Sequence, residues 1–232
     1  ALTASAPSRS LRLRLGLSFP TEGNPQWAMP LRRPGPIRRL LPGGYQPKVL
    51  YLTFDCGYEN GCTEAILDAL KKHNAPAAFF VVGHMIESAP DIVRRMAAEG
   101  HIVGNHTYHH PDMSSISDLA AFQKELTDLE DLYQETTGRP LSRFYRPPQG
   151  KYSVENLKQA QELGYTTVFW SLAYVDWNTD AQPRRRRPMP SCCPESTTGH
   201  RAAPLHLRHQ CRHSGRPADR WERWASTFAP LT

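Results

Sequence analysis

Lys48-Val49-Leu50-Tyr51-Leu52-Thr53-Phe54-Asp55-Cys56-Gly57-Tyr58-Glu59-Asn60 is an apolar, β-rich run that stops at a carboxylate, a thiol and a glycine. Continuous apolar character of this kind reads as a strand covered on both faces, as in parallel sheets. Asp55 and Cys56 then stand at the strand's carboxyl end, the edge at which α/β barrels carry their chemistry. A buried strand followed by an ordinary turn would show the same residues, so the reading depends on what surrounds it.

Downstream, the chain alternates. Thr63 to Lys72 has apolar residues at helical spacing with Thr63 as N-terminal cap, and Pro76 stops it. Ala77 to Val82 reads as a second buried strand, and Pro90 to Glu99 as a helix with proline at its start and Gly100 at its end. His101 to Asn105 is a third strand that runs directly into His106. Ser117 to Thr136 is a long amphipathic helix with Leu119, Phe122, Leu126, Leu129 and Tyr133 on one face and Gly138 at its end. A strand at Arg143 to Tyr145, a helix at Val154 to Leu163 and a strand at Thr166 to Leu172 complete the pattern. Strand and helix in alternation, with short connections, predict an α/β fold: a parallel sheet with right-handed crossovers. The strands counted are too few for a closed (β/α) barrel, so an incomplete barrel or an open sheet is expected.

A chain of 232 residues can bury one large core. Its net charge of +6 suggests a polyanion partner until it is divided along the sequence. Residues 1–46 carry seven Arg, no Lys and one acid, and residues 183–232 carry ten Arg, no Lys and three acids. The middle, with five Arg, six Lys and 18 acids, is at −7. An acidic body therefore lies between two basic, proline-rich ends, and nucleic acid is not expected as its partner. The five cysteines show no disulfide framework. No 18-residue apolar span predicts a transmembrane helix, and Arg9, Arg12 and Arg14 interrupt the leucine-rich stretch that could have been a signal peptide's apolar core. Residues 1–46 read as an irregular arm, with Leu15 to Pro20 a docking segment.

Polar clusters recur at the predicted strand ends. His106 and His110 are spaced so that a helical turn would let both imidazoles face one ion. Such a pair taken alone is more often surface decoration, but here Asp55 and Cys56 leave the same end of a neighbouring strand. Arg146-Pro147-Pro148-Gln149-Gly150 and Asp176-Trp177 repeat the arrangement after the next two strands. Packing alone does not account for polar clusters at all of these ends.

These residues resemble the polysaccharide deacetylases with a NodB homology domain. Thr53-Phe54-Asp55-Cys56-Gly57 is similar to the family's T-F-D-D-G, and His106-Thr107-Tyr108-His109-His110 matches H-[ST]-x-x-H. Arg146-Pro147-Pro148-Gln149-Gly150 resembles R-x-P-[YF]-G, and Asp176-Trp177 the Asp-Trp motif. Similarity running from Lys48 to about Gln182, with Leu17 to Pro25 added, points to the δ-lactam-biosynthetic branch that acts on muramic acid. The resemblance implies a NodB-type irregular barrel over 47–182 and metal-dependent de-N-acetylation of a glycan. N-acetylmuramic acid residues of peptidoglycan are the implied substrate, in spore cortex δ-lactam formation, with chitin or other N-acetylglucosamine polymers as the alternative. It also implies action outside the cytoplasm, at the cell envelope, by a monomer.

Residue by residue, the resemblance makes Asp55 the general base, His106 and His110 the ligands of a divalent metal, and Arg146 the group that orients Asp55 and is held by Asp176. Zinc is the first choice, with manganese, cobalt or magnesium behind it. A backbone N–H near Gln149 would face the oxyanion, and Tyr108, Pro148 and Trp177 would line the sugar site. Cys56 replaces the family's second Asp. It reads either as a thiolate ligand or as a small buried hydrophobe.

After Pro183 the pattern breaks. The chain continues Arg184-Arg185-Arg186-Arg187-Pro188-Met189-Pro190-Ser191-Cys192-Cys193-Pro194 where the family has a helix, a Leu-His strand and a closing strand. An arginine run of this kind is a polyanion patch or the translation of a G+C-rich gene in a shifted frame, and the second also accounts for residues 26–46. Without the missing units, the first and last strands are expected to lack cover, and the leaving-group histidine of the Leu-His motif is not assignable. Three function classes follow: a glycan amide hydrolase, an inactive saccharide binder on the same fold, and a polyanion-binding protein.

Overall fold

The computed structural model describes residues 12–14, 49–170, 201–204, 227–228 and 230–231. Strand β1 (Arg12–Arg14) precedes β2 (Val49–Cys56), the run that opens the sequence reading. Then follow α1 (Thr63–Lys72), β3 (Ala77–Val81), α2 (Gly83–Ser88), α3 (Pro90–Ala98) and β4 (Ile102–Asn105). Helix α4 (Leu119–Thr137) leads to β5 (Phe144–Tyr145), β6 (Lys151–Ser153), α5 (Val154–Glu162) and β7 (Thr166–Thr167). Two strands from the basic C-terminal part, β8 (Arg201–Pro204) and β9 (Thr227–Phe228), complete the described elements.

The main sheet is parallel, in the order β7-β5-β4-β3-β2-β8, with β9 also on β2. Its register carries the functional argument. Cys56 is opposite Val81, Val81 opposite Asn105, Asn105 opposite Tyr145, and Tyr145 opposite Thr167. The residues that come next in sequence, His106 and Arg146 among them, therefore leave the sheet along one edge beside Asp55.

Alternation along the strands separates two faces. Leu52, Phe54, Cys56, Phe79 and Val81 enter the core between the sheet and the helices, with Leu67, Met85, Val93 and Met96. Ala78 and Phe80 point the other way and pack with Val168 and Leu231. A third cluster, with Phe122, Leu126, Tyr145 and Tyr165, joins α4 to β5. Each fully buried Phe or Leu contributes about 1.5–3 kcal/mol relative to exposure, and these three clusters supply the apolar burial that holds the sheet edge in place.

Several elements differ from the sequence reading for identifiable reasons. Thr63 is the first helical residue rather than the cap; the Glu59 carboxylate accepts the N–H groups of Cys62 at 2.8 Å and Thr63 at 3.4 Å. Helix α4 starts after Asp118, whose side chain accepts the Ala121 N–H, and Leu119, placed on the buried face by its spacing, is 42% exposed. Helix α2 has no sequence signal beyond its Gly83 start, being too short to show a period. The strand expected over Thr166 to Leu172 is regular only at β7; Val168 still donates to Tyr145 O at 2.7 Å, and residues 171–172 lie outside the described residues.

Both basic ends contribute strands. β1 pairs antiparallel with β6, and β8 and β9 pair in parallel with β2, so the first strand does not have the unpartnered edge expected of it. Ladder hydrogen bonds use backbone groups, so they form without the apolar periodicity that was absent from those segments. The expected docking segment at Leu15 to Pro20 lies outside the described residues.

Candidate functional site

Arg146 follows β5 and has no solvent exposure. A buried guanidinium needs partners on its donors, and three are present. Nη1 donates to Asp55 Oδ1 at 2.6 Å, Nη2 to Thr53 Oγ1 at 2.9 Å and Nε to Val168 O at 3.2 Å. The guanidinium also lies over Phe80, 4.1 Å from the ring centroid, and 5.5 Å from that of Trp170. Thr53 and Asp55 alternate onto the same face of β2, which is why one arginine reaches both. Burial pulls the Arg146 pKa down and the Asp55 carboxylate opposes it; a guanidinium stays protonated in either case.

His106 lies beside this pair, at the end of β4. It is buried, and its Nδ1 is 2.8 Å from Arg146 O. A carbonyl only accepts, so Nδ1 carries the hydrogen and the neutral ring keeps its lone pair on Nε2. Burial lowers the His106 pKa to about 4; Asp55 opposes this, and the neighbouring His110 adds to it. His110 is half-buried and also lowered by desolvation, against the pull of Asp55. The two rings meet edge to face with centroids 4.9 Å apart.

The segment between them is not the helical turn that the spacing suggested. Thr107 has φ 69° and His110 φ 58°, both in the left-handed region, and the His110 N–H donates to Thr107 Oγ1 at 3.0 Å. A tight loop with left-handed residues brings residues four apart together as a helix would. The other strand-end loop has the same character. Gln149 sits at φ 57° and Gly150 at φ 64°, in a turn closed by Gly150 N–H to Pro147 O at 3.1 Å. Of the four described non-glycine residues with positive φ, three (Thr107, His110 and Gln149) lie in these two loops. Backbone strain of this kind concentrates at functional sites.

The remaining candidates divide. Pro148 is buried and Gln149 is exposed. Tyr108 packs its ring on Gly83, where a Cβ would come within 2.9 Å of it, and donates its hydroxyl to Glu87 at 2.5 Å. Cys56 has no exposure, belongs to the helix-facing core on the face opposite Asp55, and burial pushes its thiol pKa far up. That burial is what the small-hydrophobe reading of Cys56 expects. Asp176 and Trp177 lie outside the described residues. Phe80, Asn105 and Trp170 were not picked out by motif reading; only Thr53 stood inside a motif, as its first residue.

Among the described residues, no group of three or more His, Cys, Asp or Glu is gathered closely enough to hold a metal ion by itself. His106 and His110 would supply two neutral imidazole nitrogens to such an ion.

The sequence profile described as polysaccharide deacetylase matches residues 43–168. The chain is 44% identical over 144 residues to the peptidoglycan-N-acetylmuramic acid deacetylase PdaA of Bacillus subtilis, covering 62% of this chain and 54% of that protein. It is 38% identical over 135 residues to a peptidoglycan-N-acetylglucosamine deacetylase of Bacillus cereus, covering 58% of this chain and 48% of that one. It thus spans about half the length of the curated relatives it matches. The solved structure of Bacillus subtilis PdaA, a family 4 carbohydrate esterase, superposes with a TM-score of 0.70 at 33% identity, over 84% of this chain and 82% of that one. A family 4 carbohydrate esterase from Bacillus anthracis gives 0.66 at 36% identity, over 80% and 81%.

Proposed function

Because this chain belongs to the polysaccharide deacetylase family, we propose that it hydrolyses the N-acetyl groups of a glycan, with N-acetylmuramic acid residues of peptidoglycan as substrate. The observation that carries this reading is the Asp55 carboxylate locked by buried Arg146 on the same sheet edge as the His106 and His110 pair. The muramic preference is supported by 44% identity to the muramic acid deacetylase against 38% to the N-acetylglucosamine enzyme; δ-lactam formation in spore cortex would follow from that preference. Peptidoglycan as substrate puts the reaction outside the cytoplasm. No helix among the described residues is long and apolar enough to cross a membrane.

In this reading Asp55 takes the proton of the attacking water. Arg146 fixes the carboxylate's direction through Nη1 and is itself held by Thr53 and Val168; Asp176 would add a further contact. His106 and His110 would hold a divalent ion, zinc before manganese, cobalt or magnesium. Bound there, such an ion supplies polarisation of the acetamide carbonyl and acidified water. Nδ1 of His106 is held by Arg146 O, which leaves the Nε2 lone pair available to a ligand. A backbone N–H at Gln149, in the left-handed turn, would face the developing oxyanion. Tyr108, Pro148 and Trp177 give the sugar apolar surface.

The test is acetate release by the full chain, loaded with zinc, from a muramic-acid glycan and from a chitin oligomer side by side. Faster release from the muramic substrate is expected. Release from chitin alone would move the substrate to N-acetylglucosamine polymers, and release from neither would leave a saccharide-binding protein on this fold.

A further inference from the structure

Asn105, the last residue of β4, is fully buried, and its amide is used at every position. Its Oδ1 accepts the Thr107 N–H at 2.9 Å, while Nδ2 donates to Leu126 O at 2.9 Å and to the Tyr165 hydroxyl at 3.2 Å. A primary amide has two N–H groups, so both are engaged and the side chain is fixed from three directions. What it fixes is a strained residue. Left-handed φ is an outlier for a β-branched side chain, and Thr107 adopts it at φ 69° with its N–H turned back onto Asn105.

From Thr107 the contacts lead into the histidine pair. Thr107 Oγ1 accepts the His110 N–H at 3.0 Å, and Asn105 O accepts the Arg146 N–H at 2.9 Å. Arg146 O in turn holds His106 Nδ1. Behind Asn105, the Tyr165 hydroxyl donates to Glu130, which also accepts from Arg143. The Arg143 guanidinium lies 5.2 Å from the Tyr165 ring centroid. Hydrogen bonds and the backbone that joins them therefore run from Glu130 on α4 through Tyr165 and Asn105 to the His106 imidazole and to the backbone N–H of His110.

We propose that Asn105 and Tyr165 are positioning residues for the His106 and His110 pair: Asn105 holds the left-handed loop between the imidazoles, and Tyr165 holds Asn105. This rests on reading that pair as a metal site and adds two residues on which its geometry depends. The contrast is with Asn156, a second buried asparagine, whose bonds to Ser153, Ile116 O and Gln159 hold the start of α5 and touch neither histidine.

The experiment is Co²⁺ titration of the full chain, followed by visible absorption, for the wild type, Asn105→Ala, Tyr165→Phe, the double variant and Asn156→Ala. Partners of metal-ligating histidines typically change affinity about 10- to 100-fold when removed, and Asn105→Ala is expected in that range, with Tyr165→Phe weaker. In the double variant Tyr165→Phe should add less than it does alone, because its effect passes through Asn105. Asn156→Ala should lower the melting temperature and leave Co²⁺ affinity unchanged. A metal-independent readout is the His106 ring N–H resonance in the metal-free protein, expected to be slowly exchanging in the wild type and lost in Asn105→Ala. If the wild type takes up no Co²⁺ while this resonance still depends on Asn105, the metal reading falls and the positioning role stands. Co²⁺ affinity within about twofold of wild type in Asn105→Ala, or an equal loss in Asn156→Ala, overturns the proposal. Should Asn105→Ala not fold, Tyr165→Phe keeps the ring's packing, and unchanged affinity there overturns it as well.

Discussion

Arg146 Nη1 donates to Asp55 Oδ1 at 2.6 Å from a side chain with no solvent exposure, while the carboxylate keeps 13% of its own. The arginine is thus the buried scaffold and the aspartate the side of the pair that keeps contact with solvent. That asymmetry suits a base which must meet water and an orienting group which must not move.

Removing the arginine should be costly. A desolvated pair broken on one side typically loses about 3–5 kcal/mol, and Arg146→Met also frees Thr53 and Val168 O from their donors. Urea denaturation should show a loss in that range, whereas Asp55→Asn, whose amide oxygen can still accept from Nη1, should lose less. Equal stabilities for Arg146→Met and wild type would contradict the scaffold role.

Cys56 supplies a second expectation. It lies in the helix-facing core, so Cys56→Ala should cost on the order of 1 kcal/mol as a small cavity and leave zinc stoichiometry unchanged. Loss of stoichiometric zinc in a folded Cys56→Ala sample would restore the thiolate reading.

The strand-helix alternation and the strand-end clusters were legible because burial on both faces leaves an apolar run and polar groups at the strand ends interrupt it. At Cys56 the sequence left two readings, and alternation gives its face: Phe54 and Cys56 point to the helices, Thr53 and Asp55 to Arg146. A side chain's face follows from the register of the whole sheet, which no single motif records. The spacing of His106 and His110 fits a helical turn as well as the loop that is present; the bond from the Thr107 N–H to Asn105 that accompanies left-handed Thr107 has no signature in the letters. Strands β1 and β8 gave no signal because ladder pairing uses backbone groups and needs no apolar period.

Acid should weaken the metal-free protein in a defined window. The unfolded His106 ionises near 6.5 and the folded one near 4, because burial disfavours its charge. Between these values the unfolded chain binds a proton that the native chain does not, so stability rises with pH across the window and levels off above it. The shift corresponds to about 3 kcal/mol at most, and His110 and His101, both lowered by burial, act in the same direction. Urea midpoints measured at intervals from pH 4 to 6.5 should show the slope, and His106→Gln should flatten it. A slope unchanged in His106→Gln would place its origin elsewhere.

Gly104 tests the packing behind Arg146. A Cβ there would stand 2.7 Å from a Phe80 ring carbon and 3.1 Å from Phe144 O, and Phe80 is the ring on which the guanidinium rests. Gly104→Ala should therefore lower stability by about 1–3 kcal/mol through overpacking and slow acetate release by more than Gly83→Ala, whose added methyl meets the Tyr108 ring instead. The reverse order would show Tyr108 to matter more to turnover than the Arg146 support.

The most direct measurement is acetate release from a muramic-acid glycan by zinc-loaded wild type and Asp55→Asn, with folding and zinc content measured on the same samples. A general base typically supplies about 10² to 10⁴ in rate. The account predicts that Asp55→Asn stays folded, keeps its zinc through His106 and His110, and loses acetate release by a factor in that range. A folded, zinc-loaded Asp55→Asn that releases acetate at a rate near the wild type's would contradict it.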